Sequence, residues 1–233
     1  MLGIQKKRQS VLPILMVVLL LLLITQSVAS AHGNANPRVL PPNSRVQGLT
    51  YGEWSVKWWQ YVLSVPASEN PLIGATGPGC GIQRIGNVAL VVADPTMGEA
   101  IACEVPAGTM LFLDILSAEC STVEEDPFYG EDEEEMRACA EAFKLSKLQA
   151  SIDGIAIHHL TEYIHTSPLF DFTVPEDNIL GVEAGSGQSV SNGAHLLLAP
   201  LAPGEHTIHL HGEYSELGFA ADLVFDFTVT PGR

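Results

Sequence analysis

Basic residues are scarce in this chain: 11 lysines and arginines stand against 27 aspartates and glutamates in 233 residues. That balance excludes a phosphate-binding surface, so no nucleic acid partner is expected. It disfavours anionic membrane surfaces as well, and favours a cationic partner, a metal ion or simple solubility. Aromatics make up only 7% of the chain, too few for a broad sugar-stacking platform. Only one long apolar run occurs, so no stable membrane insertion is expected once it is removed. No N-x-S/T sequon, H-E-x-x-H, Walker loop, Rossmann glycine fingerprint or C-x-x-C is present. Gly185-Ser186-Gly187-Gln188-Ser189 imitates a nucleophile elbow, but its composition reads as a loop. No motif specifies a reaction, so whether the chain is an enzyme stays open, and the carboxylate pairs of a glycosidase would be invisible at this level.

The one apolar run lies at the start. Lys6, Lys7 and Arg8 precede Val11 to Ile24, which includes five consecutive leucines, and Ala29-Ser30-Ala31 follows. Charge, apolar run and small residues in that order read as a signal peptide over residues 1–31, with the mature chain starting at His32 in the medium or periplasm. The alternative is an uncleaved anchor; Pro13 and the polar Thr25, Gln26 and Ser27 favour the cleaved form. Residues 1–31 carry three basic and no acidic residues, so their loss takes the formal charge from −16 to −19. In an exported chain the four cysteines read as two disulfides. Four cysteines allow three pairings. The local one, Cys80–Cys103 with Cys120–Cys139, is favoured because each pair closes a short loop beside a strand or helix, stabilising by ~2–4 kcal/mol apiece.

Residues 32–48 read as an extended leader, and 49–233 as a single β-sandwich domain of immunoglobulin-like type with two accessory helices. Thr50 and Glu53 form a capping box, and Tyr51, Trp54, Trp58, Tyr61, Val62 and Val65 recur at helical spacing until Pro66. This predicts a helix at 50–65 that covers a sheet, with Trp59 off the main stripe and the better candidate for contact with a ligand. A second helix is expected near 131–146, with an acidic first turn, Lys144 and Lys147 at its end, and Cys139 on its apolar face. The acidic run 124–135 fits a solvated helix start; it does not match the EF-hand pattern. Strands are expected at 88–92, 101–105, 110–116, 169–174, 194–198, 206–214 and 221–229, with a hairpin turn at Asp153-Gly154.

Gly48-Leu49-Thr50-Tyr51-Gly52-Glu53-Trp54-Ser55, Pro127-Phe128-Tyr129-Gly130, Ser167-Pro168-Leu169-Phe170 and Pro203-Gly204-Glu205-His206-Thr207-Ile208 resemble stretches of uncharacterised secreted bacterial proteins. The resemblance spans most of 48–230 and implies a shared exported domain but no chemistry.

Histidines carry the sharpest alternative to a binding domain. On a strand at 206–214, His206 shares a face with Ile208 and Leu210, while His209 and His211 share the other face, ~7 Å apart. Pairing with 221–229 permits a register that sets Asp226 opposite His209. Two imidazoles and a carboxylate suit zinc, copper or iron. Against this stands the ordinary cross-strand His–Asp pair on a polar outer face. His32 at a mature terminus would offer its amine and ring to copper, an arrangement similar to the histidine brace of lytic polysaccharide monooxygenases. The reading is therefore a secreted, acidic, non-catalytic binding or interaction domain; the alternative is a copper or zinc protein, or oxidoreductase, using His209, His211, Asp226 and His32.

Overall fold

The computed structural model describes residues 36–75 and 79–232. The expected signal peptide and His32 lie outside the described residues. The first helix, α1 (Tyr51–Ser64), starts where the capping box predicts: the Thr50 side chain accepts from the Glu53 amide, and the Glu53 carboxylate accepts from the Thr50 amide. Its large residues are anchored as well as buried. Trp54 Nε1 donates to the Val46 carbonyl, Trp58 Nε1 donates to the Val91 carbonyl, and the Tyr51 hydroxyl donates to the Leu40 carbonyl while accepting from the Leu197 amide. Residues 36–48 run through turns, with positive φ at Arg38 and Gln47, and are held to the domain: Leu40 and Ala199 amides bond across to Leu197 and Arg38 carbonyls, and Val39 bridges Leu198.

After α1 the chain builds β1 (Gly81–Ile85), β2 (Val88–Val92), β3 (Ile101–Pro106) and β4 (Met110–Ser121), then α2 (Glu133–Ala142). The remaining strands are β5 (Lys147–Ile152), β6 (Ile155–Ala156), β7 (Ile164–Thr166), β8 (Phe170–Val174), β9 (Gly185–Leu198), β10 (Gly204–Tyr214) and β11 (Phe219–Thr230). One sheet runs β1-β2-β4-β9, with β7 and β8 both paired to β9; the other runs β3-β11-β10-β5-β6. The two pack as a sandwich, and α1 lies on the first sheet. Two pairings are parallel, β2 with β4 and β3 with β11, because the chain leaves the first sheet after β2, adds β3 to the second, and returns as β4.

Alternation sorts the faces of β10 and β11 as the sequence predicts: Ile208, Leu210, Phe225, Phe227 and Val229 are buried. Asp153 and Gly154 both have positive φ, which suits the tight turn joining β5 to β6. Both predicted disulfides form. Cys80–Cys103 staples the approach to β1 onto β3 of the other sheet, and Cys120–Cys139 staples β4 to α2. Among the described residues no helix is long and apolar enough to cross a membrane.

Three expectations are corrected. The strand expected at 194–198 begins at Gly185, inside the stretch whose glycines and serines read as a loop. Gly187 is hemmed in by its neighbours: a Cβ there would stand 2.8 Å from Val123 and 2.9 Å from Phe172. The strand expected at 110–116 runs on to Ser121. The second helix stops at Ala142, so Lys144 and Lys147 fall beyond its end, and Lys147 joins β5 and pairs with Glu213.

Candidate functional site

The predicted His–Asp register does not form. Four residues, Ser215–Gly218, link Tyr214 to its partner Phe219, and this short connection sets His209 opposite Val224, His211 opposite Asp222 and Thr207 opposite Asp226. Asp226 accepts from the Thr207 hydroxyl, 3.1 Å away. Asp222 takes its place beside the histidines, 2.5 Å from His209 Nε2, while His211 Nε2 lies 2.8 Å from Glu213. The bond from His209 holds the Asp222 carboxyl below the usual range, and the bond from His211 does the same for Glu213. Each imidazole is spent on a carboxylate, His209 across to the neighbouring strand and His211 two residues along its own. Among the described residues, no group of three His, Cys, Asp or Glu side chains is arranged to hold a metal ion. His206 faces inward and braces the β5–β6 hairpin, between Asp153 and the Ala202 carbonyl. Burial works against its charge, but those two acceptors outweigh it and raise its pKa.

The notable chemistry lies along β4. β2 pairs with β4 only as far as Leu113, and from Asp114 to Cys120 no strand pairs with that side. At the same point the ladder with β9 is broken by a bulge at Ile115, between Asp114–His195 and Leu116–Ala194. Bulges turn strands and re-aim side chains. Here the bulge opens the sandwich. Leu116 is pressed to the second sheet at Gly212, where a Cβ would come within 2.7 Å of the Leu116 Cβ, while Asp114, Ser117 and Glu119 are left along an uncovered edge.

Two adjoining chambers, of about 150 and 350 Å³, run along that edge. Both are walled by Trp59, Leu72, Leu116, Ser117 and Phe219. The smaller reaches in to Asp114 and Phe225; the larger takes in Glu119, Glu124, Phe128, Phe143 and Tyr214. Phe128, Leu217 and Phe219, among the few large apolar side chains left exposed, stand at its mouth. A more open concavity of about 560 Å³ lies beside Gln60, Asp171 and Gln188, but those polar groups bond to one another and the backbone.

The cleft's polar side chains are different. Trp59 Nε1, Asp114 Oδ1, Ser117 Oγ and the Tyr214 hydroxyl are all buried with no hydrogen-bond partner within the protein, and Glu119 Oε1 has none but the carboxyl of Glu124. Apart from the two ring nitrogens of His195, next to Asp114, these are the orphaned side-chain atoms among the described residues. Native proteins leave few such groups, and each one costs ~1–3 kcal/mol.

Burial sets their charge states. Glu119 is 4% exposed and its carboxyl pKa is driven up by desolvation and by the neighbouring Glu124. Burial raises Glu124 too, and two carboxyls so placed share a proton rather than both ionising. Ser189 donates to Glu119 Oε2, Ser121 donates to Glu124 over 2.8 Å, and the shared proton bonds the two carboxyls to each other. Desolvation lifts Asp114 to about 7 and lowers His195, fully buried and 3.3 Å away, to about 3. His195 is therefore neutral, stacked on Phe112. Burial also pushes the Tyr214 phenol up.

Trp59, singled out in the sequence as standing off the main helical stripe, does line the cleft, edge-on to Trp58. Glu124 was assigned to the solvated acidic run, yet it folds back beside Glu119; Glu125, Asp126 and Glu131–Glu135 stay exposed. Glu119, Asp114, Ser117 and His195 carry no sequence signal, since only the bulge and the crossing of the two sheets bring them together. No family model matches this chain, and no curated protein or solved structure matches it either.

Proposed function

We propose that this is an exported, non-catalytic binding domain that holds a small apolar molecule in the cleft along β4. One observation carries the reading: Trp59, Ser117 and Tyr214, three side chains whose buried polar atoms have no partner within the protein, line one mostly apolar space of ligand size. A polar atom left unpaired inside a protein is a standing cost, and a ligand that bonds to it recovers that cost. The two disulfides fit an oxidising compartment, and the leader-like start of the sequence supplies the route there.

Titration with the neutral dye Nile red tests the site. Saturable binding with a blue-shifted emission is the expected result. Ala118→Trp, which fills the larger chamber, should abolish it, and Leu217→Ser at the exposed mouth should weaken it without touching the core. Circular dichroism would establish that both variants fold. Absence of saturable binding by the wild-type protein, or binding untouched in both folded variants, would overturn the assignment.

A further inference from the structure

The walls of the cleft also discriminate between head groups. Among the described residues, no lysine or arginine lines either chamber. A carboxylate or sulfate brought into this space would therefore meet Glu119, Glu124 and Asp114 with no countercharge. A neutral hydroxyl would satisfy one acceptor and leave the carboxyl pair as it is. A cation alone changes the balance. It provides the charge that lets both Glu119 and Glu124 ionise side by side in the chamber wall, and its N–H groups replace the shared proton as donors to the two carboxylates. The rest of the lining suits a cation as well: Trp59, Phe128, Phe143, Tyr214 and Phe219 present aromatic rings around the same chamber. At longer range the chain's formal charge of −16 draws cations toward it and repels anions.

We infer that the cleft selects a protonated amine carried on an apolar body, with the ammonium received by Glu119 and Glu124 and the body lying along Trp59, Leu116 and Phe219. This rests on the cleft being a binding site, and the two statements fail separately. Asp114 and Ser117, further along the edge of β4, and the donor Trp59 Nε1 remain for a second polar atom on the ligand.

The test is displacement of bound Nile red by three probes that share one chain length: decylamine, decanol and decanoate, at neutral pH and well below micelle formation. Decylammonium should displace the dye roughly tenfold more tightly than decanol, with decanoate the weakest. Glu119→Gln and Glu124→Gln should each bring decylammonium level with decanol, each probe being compared with the others on the same variant. Two variants are used so that a folding failure in one does not end the test. Decanol or decanoate matching decylammonium on a protein that binds the dye would overturn the head-group inference and leave the cleft standing. The same holds if decylammonium keeps its advantage in both folded variants. A wild-type protein that binds no dye would remove the cleft itself.

Discussion

Gly193 faces Ser117 across the β4–β9 pair so closely that a Cβ on the glycine would stand 2.2 Å from the Ser117 Cβ. No side chain fits there without moving the edge of β4 that walls the cleft. Gly193→Ala should destabilise the fold by ~1–3 kcal/mol, the usual cost of overpacking. Urea denaturation measures this directly. Nile red affinity should fall along with stability, because Ser117 is displaced.

Tyr214→Phe tests the orphaned phenol in the opposite direction. The hydroxyl is buried without a partner, so removing it should leave stability unchanged or raise it by ~1 kcal/mol. A loss of stability in thermal melts would mean that the hydroxyl is satisfied within the folded protein.

Asp114→Asn should flatten part of the dependence of stability on pH. Burial raises the folded-state pKa of Asp114 from 3.8 to about 7, so the folded state favours the protonated acid. Its stabilising contribution is full below pH 4 and is lost as pH rises through 7. The asparagine variant should therefore be more stable than wild type at pH 8, on the order of 2 kcal/mol, and level with it near pH 4. His195 has the reverse sign, since its depressed pKa means that stability falls as pH drops from 6.5 toward 3. Denaturation midpoints across pH 4–8 separate the two; parallel curves for wild type and Asp114→Asn would contradict the assigned burial.

Replacing Cys120 and Cys139 together by alanine should cost ~2–4 kcal/mol, from the freedom returned to the unfolded chain. It should also loosen α2, at whose end Phe143 forms part of the cleft wall, so dye binding should weaken beyond what the stability loss explains. Thermal melts and titrations on the folded double variant separate the two effects.

What the sequence made legible was local. Thr50 and Glu53 cap a helix because the partners lie three residues apart, and Asp153-Gly154 turns because both residues tolerate positive φ. His206, Ile208 and Leu210 share a face because strands alternate, and that holds whatever the register. Parity was as far as alternation could reach: it allowed Asp226 opposite His209, and the four-residue connection after Tyr214 chose Val224 instead. The first half of β9 was hidden because the glycines and serines that permit close packing are also the residues of loops. The cleft was out of reach for a different reason. Its walls come from Trp59, Asp114–Glu119, Phe143, Tyr214 and Phe219, and nothing short-range connects them.

The interleaving of the two sheets has a consequence for how the chain matures. β3 finds its strand partner in β11, with Ile101 beside Phe225, and β4 is joined by β9 when residues 189–198 arrive. A polypeptide emerging amino end first holds half-built layers with open margins until its last strand is delivered. Assembly is then late and slow, and most exposed to self-association until β10 and β11 are in place.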